Sequence, residues 1–172
     1  PEHRTAYNKA VAASRAAGFC IIVDAEVLTQ TLTFNLLLNG IPTLTLELGK
    51  PRVVSEPNVV HGVEAVWNML ASLGMIEPPP EPFRYALPEA YGGGRLLRYS
   101  DKPYGSKTGM IRFLAKPGNE VRKGQPLAKI VNAFGRHQEI VVALEDALVL
   151  GHTDSSAAFP GMPIMAFGVA RE

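Results

Sequence analysis

The chain has 172 residues, 47% hydrophobic and 19% charged, enough apolar material to build one domain or two small ones and too much for a disordered segment. Its formal net charge is +1, with no dense Lys/Arg block and no basic patch interleaved with aromatics, so neither nucleic acid nor an anionic membrane surface is an expected partner. Cys20 stands alone, which excludes an intramolecular disulfide and a cysteine metal cluster and fits a reducing, cytoplasmic setting; no apolar run reaches the ~18 residues a membrane helix needs.

The opening "PEHRTAYNKA" has neither an initiator Met nor an apolar signal core, so the chain reads as beginning inside something larger. From Thr5 to Ala17, good helix formers followed by Gly18 predict a first helix with a glycine stop. "FCIIVDA" reads as a short apolar strand ending at Asp24. "EVLTQTLTFNLLLNG" predicts a second helix with Leu28, Leu32, Leu36 and Leu37 near one face, its threonines weakening the pattern and Asn39-Gly40 closing it. "IPTLTLELG" predicts a strand entered through Pro42. "NVVHGVEAVWNMLASLG" predicts an amphipathic helix with Val59, Val63, Val66, Trp67 and Leu70 on one stripe. Helix and strand in alternation imply an α/β layer with a largely parallel sheet over residues 1–76.

Composition changes at "EPPPEPFRYALP", where the density of prolines forbids a helix interior or a central strand and predicts a stiff linker, residues 77–90. Residues 91–172 show short alternating runs broken by Gly and Pro, the pattern of a small all-β domain. Within it "GQPLAKI", from Gly124, is echoed by "GMPIMAF", from Gly161, and at the same offset Ile111 and Phe113 fall on Leu148 and Leu150. Two copies are too few for a solenoid, so the echo predicts two interlocking halves of one small barrel or sandwich.

Candidate chemistry is sparse. Strand alternation sets Thr43, Thr45 and Glu47 on one side and Leu44, Leu46 and Leu48 on the other, with the carboxylate at the strand's C-terminal end, where open α/β sheets bind ligands. Glu47 is therefore either a general acid/base in a crevice or an outward-facing Glu on a half-exposed strand. His3, His61, His137 and His152 offer no paired metal spacing beyond the near miss His61-x-x-Glu64, which opens a helix where a surface His and a first-turn Glu are commonplace; the other three read as loop or surface histidines. "AYGGGRLLR" lacks the Gly-Lys-Ser/Thr ending of a phosphate loop and reads as a strand entry, and no serine stands in a Gly-x-Ser-x-Gly setting.

Taken in order, "GIPTLTLELGKPRVV", "NMLASLGMI", the proline-rich break and "FLAKPGNEVRKGQPLAKIVNAFG…EIVVALEDALVLG…AFPGMPIMAFG" resemble the C-terminal half of the succinylglutamate desuccinylase/aspartoacylase family, zinc-dependent deacylases on a carboxypeptidase-like α/β fold. The resemblance covers nearly the whole chain, and its most specific part is the Glu-Leu-Gly that closes the strand. It implies that Glu47 is the catalytic acid/base, taking a proton from zinc-bound water as that water attacks an N-acyl amide and passing it to the departing amine. The family's zinc ligands, a His-x-x-Glu pair and a later His, belong to an N-terminal half not represented here. The resemblance thus implies zinc in the complete protein, none bound by this portion, and no turnover by this portion alone. Members often carry an Arg in the helix before the Glu-bearing strand. None stands near Thr33 and Phe34, which points to an N-acyl amino acid or related small amide outside the acidic substrates of the named enzymes.

The β domain resembles the barrel-sandwich domains of lipoyl and biotinyl carriers. "VNAFGRHQEIVV" has no Lys where the cofactor would attach, so a swinging arm is not expected. Expected partners are a small N-acyl substrate, the N-terminal half that carries the zinc ligands, and a second copy in a homo-oligomer. The competing reading is a non-enzymatic interaction module acting through the barrel-sandwich domain.

Overall fold

A computed structural model describes residues 2–23 and 30–171. The chain is mixed α/β and divides into two compact units, the first made of residues 1–87 and 92–95 and the second of residues 88–91 and 96–172.

The first unit holds α1 (Glu2–Ala17), β1 (Ile21–Val23), α2 (Leu32–Leu38) and α3 (Glu56–Ser72). Gly18 ends α1 at φ 85° and is pressed against the Phe83 carbonyl, where an added Cβ would sit at 2.4 Å, so both conformation and space demand glycine there. The expected second helix is shorter than its leucine pattern. It begins at Leu32 behind Thr31, whose hydroxyl accepts from the Phe34 N–H, because a threonine at an N-terminus satisfies a free amide that it could not serve mid-helix. Asp24 and Leu28 lie outside the described residues.

The expected strand after α2 and the largely parallel sheet it would join are not seen among the described residues of this unit, whose one strand is β1. Residues 41–48 form no strand: Leu44 and Leu46 are half-buried while Glu47 and Leu48 are exposed, yet no backbone hydrogen bond joins Thr43–Leu48 to any described residue. A strand needs a neighbour for its amides, and among the described residues none lies alongside. The α3 stripe of Val59, Val63, Val66 and Trp67 points outward, each residue at least 45% exposed. The inward row is His61, Ala65 and Asn68. Helix α1 meets α3, and its own buried residues are Ala6, Ala10 and Ala17, so small side chains bring the helices together and the large ones stay outside.

The proline-rich stretch lies along this unit. The Tyr85 N–H donates to the Gly18 carbonyl at 2.9 Å, the Asn68 amide donates to the Phe83 carbonyl at 2.9 Å, and Phe83 and Tyr85 pack on Phe19. The glycine run that follows is a turn in which Gly93 and Gly94 adopt positive φ. Arg15 Nε donates to the Gly94 carbonyl at 3.2 Å.

The second unit is almost all β: β2 (Leu96–Ser100), β3 (Gly109–Phe113), β4 (Glu120–Val121), β5 (Pro126–Val131), β6 (His137–Val142), β7 (Ala147–His152), β8 (Ala157–Ala158) and β9 (Met165–Ala170). One sheet runs β6-β5-β3-β8 and the other contains β2-β9-β7-β4, all pairs antiparallel. The offset that carries Gly124 onto Gly161 carries β3 onto β7, β4 onto β8 and β5 onto β9. The pairing repeats with it: β3 pairs β5 as β7 pairs β9, and β8 of the second half pairs β3 while β4 of the first half pairs β7. Each half thus lends its short strand to the other's sheet, which is the physical content of the echo in the sequence. The two sheets do not close into one barrel among the described residues. A single core joins them, with Leu127, Ile130, Val121 and Val149 at 1% exposure or less. Gly109 is fixed by that packing, since a Cβ there would stand 2.5 Å from the Val131 carbonyl oxygen.

Candidate active site

Glu47 stands exposed at the end of the extended segment, and the residues around it are held from both sides. On its own side, two residues earlier, the Thr45 hydroxyl shares a 2.7 Å hydrogen bond with the Thr33 hydroxyl of α2. On the opposite side Leu48 lies against α3 at Gly62, where an added Cβ would meet Leu48 Cδ1 at 2.7 Å. Gly49 then turns at φ 77° with the Asn58 side chain upon it, leaving 2.9 Å between Asn58 Nδ2 and a hypothetical Cβ. The Glu-Leu-Gly sequence therefore has a local cause. Leucine needs the notch of a helical glycine, glycine makes the turn beneath Asn58, and the glutamate before them is left facing away from α3.

Sequence reasoning singled out Glu47 but missed Thr33, Asn58 and Gly62. A signal for Gly62 was present, because a glycine inside a helix costs about 1 kcal/mol relative to alanine and so implies a close approach.

The histidines do not converge. His3 is exposed on α1 and His137 is exposed at the start of β6. His61 is half-buried: its ring stacks on Phe83 at 5.2 Å and meets Tyr85 edge-on at 5.5 Å, while its buried Nδ1 has no hydrogen-bond partner among the described residues. Glu64 is exposed. His152, expected in a loop or on the surface, ends β7 and stacks on Phe113 at 4.2 Å, with its Nδ1 3.0 Å from the Thr153 carbonyl. An imidazole face is apolar enough to lie on a phenyl ring, so strand position rather than polarity decided its place. Among the described residues no three of His, Cys, Asp and Glu come together as a metal site. No helix of the described residues is long and apolar enough to cross a membrane.

In the second unit the β5–β6 hairpin carries Phe134, 88% exposed. Asn132 braces it, its side-chain oxygen accepting from the Phe134 and Arg136 N–H groups at 3.0 Å each.

The fold is similar to that of several solved structures. The chain matches the succinylglutamate desuccinylase/aspartoacylase of Rhodobacter sphaeroides with a TM-score of 0.73 at 21% identity, over 96% of this chain and 49% of that one. It matches the product-bound ectoine utilization protein EutE (DoeB) of Ruegeria pomeroyi at 0.76 and 17%, over 99% of this chain and 50% of that one. A succinylglutamate desuccinylase from Silicibacter gives 0.70 and 12%, over 95% and 49%. The structural neighbours of this chain are thus succinylglutamate desuccinylase/aspartoacylase family proteins, and the chain spans about half the length of these solved structures. No protein-family model and no curated protein matches the sequence.

Proposed function

We propose that this chain is the C-terminal portion of a zinc-dependent deacylase that hydrolyses the amide bond of an N-acyl amino acid or related small amide, with Glu47 as its general acid/base. Its α/β part then belongs to a carboxypeptidase-like layer and its β part is a barrel-sandwich domain. The observation that carries the reading is the setting of Glu47: an exposed carboxylate whose backbone is fixed by Leu48 on Gly62, Gly49 beneath Asn58 and Thr45 on Thr33. The likeness of fold to solved deacylase-family structures supports it.

A carboxylate held this way can accept a proton from the attacking water and return it to the leaving amine, work that general acid–base groups perform for ~10²–10⁴-fold in rate. The described residues do not fit a catalytic zinc, since no three candidate ligands meet. The metal of the proposed enzyme is held by residues elsewhere, and this portion by itself is inactive.

Replacing Glu47 with Gln in the full-length protein is expected to lower amide hydrolysis by at least ~100-fold with zinc content and fold intact. Unchanged turnover would sink the general acid/base role of Glu47. A second reading, a non-enzymatic interaction module, draws on the braced and exposed Phe134, a pre-organised aromatic of the kind that anchors interfaces. Loss of partner binding in Phe134→Ser, together with no amide hydrolysis by the full-length protein, would favour it.

A further inference from the structure

The sheet β6-β5-β3-β8 of the second unit has two faces of different chemistry. Its inner face is built into the core by Ile111, Ala128, Ile130 and Val141. On the other face the residues that alternate with these stay exposed, among them Met110 at 47%, Ile140 at 45% and Val142 at 38%. Large aliphatic side chains gathered on one sheet face mark a surface that binds something.

Two cations stand side by side within this face. Arg112 of β3 and Lys129 of β5 are direct cross-strand partners, both exposed, and Ile140 of β6 lies opposite Lys129 in turn. Like charges at opposed positions, with Cβ atoms about 4.5–5.5 Å apart, destabilise a sheet. Aliphatic neighbours sharpen that repulsion, because they exclude the water that would screen it. The four strands hold a single acid, Glu139, and it is committed elsewhere. It lies opposite the buried Ile130, and its carboxylate accepts from the Ser106 and Lys107 N–H groups at 2.8 and 3.1 Å. The face therefore carries a paired positive charge framed by apolar groups.

We infer that this face is the docking site of an acidic amphipathic helix of a partner protein, whose aliphatic stripe covers Met110, Ile140 and Val142 and whose two carboxylates meet Arg112 and Lys129. Charge complementarity selects the occupant. A second copy packed twofold through the centre of the face would set each cationic pair against its counterpart and add to the repulsion. A helix presents acids at i and i+4 about 5–6 Å apart, the spacing of the two opposed cations, so one helix satisfies both at once. Arg112 can take its carboxylate through two parallel N–H donors. The demand comes from side chains on a sheet face, which a helix covers, and not from a strand edge. Neither Glu47 nor Phe134 takes part, so the surface goes beyond the proposed function and stands whether or not the protein is a deacylase.

Binding of the 172-residue chain to a synthetic helical peptide of about 15 residues, with two glutamates four apart beside a leucine stripe, tests it; a control peptide carries lysines in their place. By fluorescence anisotropy the glutamate peptide should bind at least ~10-fold more tightly than the lysine peptide, and it should shift the methyl resonance of Met110. Arg112→Gln and Lys129→Gln should each weaken binding by at least ~5-fold, and Arg112→Glu combined with Lys129→Glu should reverse the preference. The same single glutamine variants should raise the urea midpoint of the second unit, because each removes an opposed charge, whereas residues present only for structure would lose stability when replaced. A lowered midpoint would mean that the cations are neutralised within the chain and overturns the inference. Equal binding of the two peptides, or none, also overturns it. A dimer that dissociates in Arg112→Gln overturns it in favour of a second copy, and phosphatidylserine vesicles that displace the glutamate peptide overturn it in favour of a lipid surface.

Discussion

At Gly49, two residues after the proposed base, the backbone has φ 77° and the Asn58 amide occupies the space of a Cβ. Gly49→Ala is expected to cost about 1–2 kcal/mol through the left-handed conformation alone, read as a lowered melting temperature of the first unit in the assembled protein. Gly109→Ala should be worse. Its Cβ would strike the Val131 carbonyl oxygen and Ile130 Cγ2 at 2.5 and 2.8 Å, in strand backbone that cannot move aside, and a loss of at least ~2 kcal/mol should appear in the urea midpoint of the second unit. Tyr91, buried in the same unit, has its phenol pushed above the ordinary value of about 10 by burial first, then by the carboxylates of Glu120 and Asp146. The folded state thus favours the protonated phenol. Its contribution is complete below about pH 10 and declines above it, as the unfolded chain ionises first, so Tyr91→Phe should flatten the alkaline loss of stability in urea titrations.

Strand and helix faces behave less uniformly than their sequence patterns. In β5 the alternation breaks, with a register shift against β6 between Pro126 and Ala128: Leu127, Ala128 and Ile130 are buried and Lys129 is exposed. Ile130→Ala is expected to cost about 2–5 kcal/mol, whereas Val63→Ala on α3, changed in the 172-residue chain alone, should cost under ~1 kcal/mol, both by chemical denaturation. The valine stripe of α3 was legible as amphipathic, yet its direction was not. Periodicity reports that one face is apolar, and which element covers it depends on neighbours far along the chain or outside it. The strand reading of residues 41–48 erred for the same reason. Its threonine–leucine alternation is that of a strand, but a ladder requires a partner that these residues do not supply. Ion pairing adds little at this scale. Arg98 and Glu145 meet at 2.7 Å with both side chains near half exposed, which places the bridge in the range of 0–1 kcal/mol.

Over the whole molecule, unequal cores predict unequal melting of the isolated chain. Trp67 fluorescence should report loss of the first unit well before far-ultraviolet circular dichroism reports loss of the β sheets, and coincident transitions would show the first unit to be self-sufficient. What the sequence by itself determined was the repeat and the interlocking of its two halves, because a glycine–proline frame with apolar alternation marks each copy locally, whereas the exchange of short strands joins residues far apart in the chain. It also marked Glu47 by its place at the end of an alternating run. Only the tertiary structure decided that α3 would pack through alanines, that Phe83 and Tyr85 would draw the proline-rich stretch onto Gly18 and Asn68, and that Thr45, Leu48 and Gly49 would fix the glutamate between two helices. Those outcomes turn on close approach between residues distant in sequence, where the space left by a glycine or an alanine outweighs any local propensity.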